Sequence, residues 1–546
     1  MAIFSSSSIA RVQNDAQNIL ATRTISIARI FKYLRSVLLL LYRFFAFHVS
    51  PFWIQLSYFL SLCLLGSLAM MTLKPSNPSF SPRYIDMLYM SASALTVSGL
   101  NSVELENFSS SQIVVLTLLM LFGGEAFNSL LSLLFRMIKY NKPESTEARI
   151  DVEFEAQDPG NVITHDDNTI QIITVSSENS FSISKDMKYN SIRYLLYIVF
   201  SYILLIHVSG SIFILLYVSL VSSARDVLNG RGIPKVLFSI SVTVSSFANA
   251  GLIPTNENMI IFKKNPGLLL IIIPQILAGN TMFPVFLRLV VWALKKITRR
   301  DDFSYMMKNS QGVKYSPLMP NKLTACLAIT VISFIIAQVT LYCTMDWNSA
   351  VFDGQSSYQK IVNSLFMAVN SRHAGEGTLD LSISSPAVLI LFIIMMYLPG
   401  STSYVPFESE DVEKSQEKDE TENKMSKRRR KTRRSFVQNY VLSQLSCIAI
   451  FVMAICITER KKISKDPLNF PILNIVLEVV SAYGNVGFST GYSCGRLIVP
   501  DETCKDKWIS LSGKWSDKGK LILIVVLLFG RLKKFTMEAG KAWILS

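Results

Sequence analysis

Four times along its 546 residues the chain repeats one order: a long apolar run, a short half-apolar segment rich in Ser, Thr, Asn and Gly, and a second long apolar run. The long runs read 51–73, 111–137, 193–221, 266–294, 323–343, 385–407, 436–458 and 520–545. Each is near the roughly 20 residues that a helix needs to cross a bilayer. The short segments read 83–100, 234–253, 358–375 and 470–491. Such a segment supplies only about 10–14 apolar residues, too few to cross, so it must enter and leave on one side. Irregular backbone at membrane depth is tolerated only where protein or a water-filled cavity satisfies its polar groups, and four such segments imply one shared central cavity.

The expected fold is therefore an all-α polytopic membrane protein: eight transmembrane helices and four re-entrant pore helices around one pore. Half the residues are apolar, 17% are charged and the mean hydropathy is +0.36, as a bilayer protein requires. The net charge of +15 does not signal nucleic-acid binding, because the basic residues cluster at the ends of apolar runs and in the loops between them. Arg136, Lys139 and Lys142, then Lys295, Lys296, Arg299 and Arg300, then the run 427–434 fall on one side if eight spans alternate. They mark that side, with both termini, as cytoplasmic. The expected divisions are a cytoplasmic arm with an amphipathic helix over 1–50, repeats over 51–142, 191–300, 321–407 and 436–546, and linkers over 143–190, 301–320 and 408–435.

Each short segment ends on a glycine in a matching place: Thr-Val-Ser-Gly-Leu at Gly99, Ala-Asn-Ala-Gly-Leu at Gly251, Arg-His-Ala-Gly-Glu at Gly375 and Gly-Asn-Val-Gly-Phe at Gly487. A pore that selects among alkali cations replaces their water with rings of backbone carbonyls. Carbonyls crowd an axis only where unusual dihedrals are allowed and no side chain intrudes, and glycine meets both conditions. Each glycine alone is equally readable as a helix C-cap; four in register favour a filter. Glu104, Glu257 and Glu376 follow three of the glycines and are expected to line an acidic outer mouth that concentrates cations, or else to be solvated loop charges.

Two charges fall within apolar runs, Glu125 beside Gly123 and Gly124, and Arg531. A charge at that depth faces protein or water. Glu125 is read as a brace between helices in preference to a direct ion site; Arg531 either snorkels or raises a barrier in the inner pore. Pro399 and Gly400 break the sixth run below the filter, as a plain kink or as a gate. Cys494 and Cys504 share one polar loop and are left open as a pair or as two thiols. Neither CxxC nor HExxH occurs and the histidines are far apart, so no enzyme activity and no cofactor beyond the transported ions is expected.

The strings Pro-Phe-Trp-Ile-Gln-Leu-Ser-Tyr from Pro51, Asn-Glu-Asn-Met from Asn256, Val-Asn-Ser-Arg-His-Ala-Gly-Glu from Val369, Ser-Ala-Tyr-Gly-Asn-Val-Gly-Phe-Ser-Thr-Gly from Ser481 and Gly-Arg-Leu-Lys-Lys-Phe from Gly530 resemble the plant high-affinity potassium transporter (HKT) family of the Trk/Ktr/HKT superfamily. The resemblance implies four membrane-pore-membrane units, a plasma-membrane location, and homodimers with one pore per subunit. In that family serine at the first filter position goes with sodium selectivity, and glycine with potassium permeation and sodium/potassium co-transport. Here the position is Gly99, preceded by Ser98. The expected function is monovalent cation transport, potassium-permeable with sodium, as symport or uniport. The alternatives are a sodium-selective uniporter of the same fold and an alternating-access transporter.

Overall fold

The computed structural model describes residues 51–78, 80–140, 167–308, 315, 317–372, 374–398, 444–498 and 504–536. The N-terminal arm, Pro399, Gly400 and the 408–435 linker lie outside them. Two units are distinguished, Met1–Tyr58 and Phe59–Ser546, and the pore region described below lies wholly in the second.

The described residues are helical, with a single isolated β-bridge between Tyr492 and Lys507. Among the described residues, three helices are long and apolar enough to cross a bilayer alone: Phe52–Thr72, Tyr189–Leu220 and Asn321–Met345. The middle one is the end of a continuous helix, Asp167–Leu220. Their outer faces leave large apolar side chains uncovered, among them Leu65 at 61% and Leu205 at 69% exposure, as lipid-facing helices require. Together with the apolar runs of the sequence, this makes the chain a multi-pass membrane protein.

The four short segments form helices Tyr84–Leu95, Lys235–Ala248, Ser357–Asn370 and Ile472–Gly484. At 1.5 Å per residue each is roughly 20 Å long, short of the roughly 30 Å hydrocarbon thickness. The third is started by a capping box, Ser356 with Gln359. Three of them end in a left-handed residue two positions before the glycine: Val97 (φ 53°), Asn249 (φ 62°) and Asn485 (φ 52°). The corresponding His373 lies outside the described residues. Asparagine tolerates this conformation, whereas β-branched Val97 is held in it at a cost. The turn is closed in each case by the next residue's N–H returning to the helix: Ser98 to the Ser93 carbonyl at 2.9 Å, Ala250 to Ser245 at 2.8 Å and Val486 to Ser481 at 3.0 Å.

Two runs read as single spans are broken. Ser110–Gly123 meets the following helix at 57°, and Pro266–Gly279 meets Phe283–Thr298 at 84°. Glu125 is the first residue of the second half of the earlier break. A glycine packed onto a carbonyl stands at each break: a Cβ on Gly123 would run into the Leu95 carbonyl oxygen, and one on Gly279 into that of Phe247. Gly530 meets the Tyr483 carbonyl in the same way, although its helix, Asp517–Thr536, continues through it. Leu95, Phe247 and Tyr483 each precede a pore-loop glycine by four residues. The second span of three repeats thus presses a glycine onto the end of its own re-entrant helix.

The first and fourth repeats are joined by buried charge. Lys520 of the last helix donates to Asp86 of the first re-entrant helix at 2.6 Å, with side chains 2% and 11% exposed. Arg83 holds the other Asp86 oxygen at 2.9 Å and reaches Asp517 at 3.3 Å.

Candidate ion-conduction site

The four glycines meet. A Cβ on Gly99 would lie 2.6 Å from the Ala250 carbonyl oxygen and 3.3 Å from Gly251 Cα. One on Gly251 would run into the Ala374 carbonyl, and one on Gly375 into that of Val486. A Cβ on Gly487 would lie 2.5 Å from the Ser98 carbonyl oxygen and 2.9 Å from Gly99 Cα, which closes the circle. The order around it is that of the chain, one repeat beside the next. All four take φ between 62° and 110°, a region that L side chains avoid. All four also line one mouth of about 610 Å³.

Behind the circle the re-entrant helices are anchored to the second spans. The Asn249 amide donates to the Ile276 carbonyl at 3.2 Å, and Asn485 to Leu527 at 3.0 Å. Val97 offers no such donor. Ser98 is fully buried and its hydroxyl turns back to Ser93 and Thr96, so it presents backbone to the circle. Asn258, itself left-handed at φ 56°, donates its amide to the Gly251 carbonyl at 2.9 Å.

The expected acidic ring is not assembled from Glu104, Glu257 and Glu376. Glu376 is fully buried and accepts from the Ser246 hydroxyl of the second repeat's re-entrant helix at 2.8 Å. Glu104 accepts from the Trp508 N–H at 3.2 Å and is not among the mouth-lining residues. Glu257 does line the mouth, but Arg231 clamps it at 2.7 Å together with Glu106. The other carboxylates that line the mouth are Asp380 and Asp506, with Arg496 and Lys507 among them. Nearby, Lys514 lies 4.7 Å over the Tyr492 ring, and burial holds its ammonium below the ordinary lysine range.

Cys494 and Cys504 are paired, with Cα atoms 5.8 Å apart. The Cys494 N–H donates to Asp506 at 2.6 Å, so the bridge fixes a loop that forms part of the mouth. Arg531 reaches neither the mouth nor the glycines. Its guanidinium donates to the Gly123 carbonyl at the break of the second span and sits 5.8 Å over the Phe59 ring.

The sequence model of the TrkH family, cation transport protein, matches residues 168–539. The cation transporter HKT1;3 of Oryza sativa subsp. japonica is 43% identical over 510 residues, covering 91% of this chain and 92% of the relative. The chain belongs to the HKT family of cation transporters. Other HKT relatives are the rice cation transporter HKT2;4, 45% identical over 90% of this chain and 94% of its own, and the Arabidopsis thaliana sodium transporter HKT1, 43% identical over 86% and 90%. The crystal structure of the potassium transporter TrkH from Vibrio parahaemolyticus aligns at a TM-score of 0.49 and 13% identity, over 90% of this chain and 85% of that one. This HKT chain carries contacts that sequence patterns do not bring out: the span glycines Gly279 and Gly530 against pore-helix carbonyls, the anchoring amides of Asn249 and Asn485, and the Arg231 clamp. Alignment of the repeats on their pore-loop glycines holds the signal for the second set, since Asn249 and Asn485 each stand two residues before theirs; the span glycines follow at unequal distances and share no such place.

Proposed function

We propose that the protein conducts monovalent cations, potassium together with sodium, through the circle formed at Gly99, Gly251, Gly375 and Gly487. The observation that carries this reading is the mutual approach of four left-handed glycines at the floor of one mouth. Carbonyls next to them are free of intervening side chains and replace water around a dehydrated ion. Four equivalent loops around one site favour channel-like permeation over rocking between two halves. Gly99 at the first filter position supports potassium permeability, as symport or uniport. A plasma-membrane setting with cytoplasmic termini and an outward-facing mouth is supported by the positive loops and by the disulfide, which persists on an oxidising side. The protein is proposed to work as a homodimer with one pore in each subunit.

Two-electrode recording in oocytes, with sodium and potassium varied separately, tests this. The reversal potential is expected to follow both ions, by about 59 mV per tenfold change when only one permeant ion remains. A potential that ignores potassium would assign the chain to sodium-selective uniport.

Arg531 is proposed to set the inner barrier. A full charge about 10 Å from an ion acts on it with about 1–2 kcal/mol at protein-like screening. Arg531→Gln is therefore expected to change the ratio of inward to outward current several-fold, with Arg531→Lys close to the parent. Superimposable current-voltage curves for parent and glutamine variant would take the charge out of the path.

A further inference from the structure

The residue that follows each pore-loop glycine is buried: Leu100 at 0%, Leu252 at 2%, Glu376 at 0% and Phe488 at 2% exposure. Three repeats thus bury an apolar side chain next to the circle and one buries a carboxyl. Apolar groups fill such a space by shape alone, whereas a carboxyl there needs partners. Glu376 has one on each side of a repeat boundary. Its backbone N–H donates to Asn370 Oδ1 of its own re-entrant helix at 3.2 Å, and its Oε1 accepts from Ser246 Oγ of the second repeat's re-entrant helix at 2.8 Å. Its Oε2 is buried without a hydrogen-bond partner, and among the described residues no ion pair reaches it.

Ser246 precedes Gly251 by five residues, and Glu376 directly follows Gly375. The bond therefore ties together the two loops whose glycines are neighbours in the circle, where a Cβ on Gly251 would meet the Ala374 carbonyl. We propose that Glu376 and Ser246 are positioning residues for ion selection: their hydrogen bond fixes the spacing between the Gly251 and Gly375 sectors. This inference rests on the circle being the filter. It assigns Glu376 a role through the backbone, out of contact with the ion, and places a polar strut across the second-to-third boundary.

The test records reversal potentials and half-saturating cation concentrations in oocytes for Glu376→Leu, Glu376→Gln, Ser246→Ala and Gly375→Ala, with surface protein measured by biotinylation. Glu376→Leu restores the apolar pattern of the other repeats and removes the strut; Ser246→Ala removes its other end while leaving the carboxyl. Both are expected to shift the sodium-to-potassium permeability ratio at least about threefold in the same direction, and Glu376→Gln, whose amide oxygen still accepts from Ser246, to restore the parental ratio. Should Glu376→Leu fail to reach the surface, Ser246→Ala carries the test. Parental ratios in Ser246→Ala, or a glutamine variant as altered as the leucine one, overturn the strut. If Gly375→Ala disrupts permeation while these hold, the strut alone is wrong; if Gly375→Ala conducts like the parent, the filter reading falls and the strut with it.

Discussion

Gly251→Val, in protein that reaches the cell surface, is expected to lose permeation by about a hundredfold or more, and Gly487→Val likewise. Two costs act together. Valine is β-branched and must be forced to φ 72° at Gly251 or 110° at Gly487, a strain of order 1–3 kcal/mol. Its Cβ also runs into the Ala374 carbonyl in the first case and lies 2.5 Å from that of Ser98 in the second. The neighbouring sector must move away, and an approach that depends on four chain segments meeting does not survive the loss of one. About 3 kcal/mol at the step that binds the ion is already a hundredfold. Currents that match the parent at equal surface density would contradict the assignment.

Lys520→Met should be the most damaging single change away from the circle. Removing one partner of a buried ion pair leaves the other charge without compensation and costs about 3–5 kcal/mol. Arg83 still contacts Asp86, but from a side chain that is 56% exposed, so the lower end of that range applies. The double variant Asp86→Asn/Lys520→Met is expected to recover most of the loss, because no orphan charge remains. Thermal unfolding of detergent-purified protein reads both effects. A single variant as stable as the parent, or a double variant whose loss is the sum of two singles, would show that the pair does not hold the first and fourth repeats together.

Much of the architecture could be read from the chain because its signals are local and repeated. Span length, the alternation of long and short apolar runs, and a glycine at the end of each short run need no knowledge of distant contacts. The glycines could be placed in one site because four copies of one unit can share only one axis. What failed was side-chain direction. Glu376 stands beside a pore-loop glycine in sequence, a place that suggests the mouth, yet its carboxyl is buried against Ser246 of the second repeat's re-entrant helix. Glu257 does reach the mouth, but its charge is taken by Arg231, 26 residues earlier, together with Glu106 from another repeat. Hydropathy shows 111–137 and 266–294 as continuous apolar runs and carries no sign of the breaks after Gly123 and Gly279. Lys520 and Asp86, 434 positions apart, carry no mutual signal in the sequence. Cys494 and Cys504 were recognisable as neighbours, and only the folded loop decided that they pair.

The most direct test of the central claim is to locate the ion. Anomalous diffraction from crystals soaked in thallium, a potassium substitute with a strong signal, should place a peak on the axis between Gly99, Gly251, Gly375 and Gly487. Peaks confined to carboxylates such as Glu257, Asp380 or Asp506, with the space between the glycines empty in protein that transports thallium, would contradict the account.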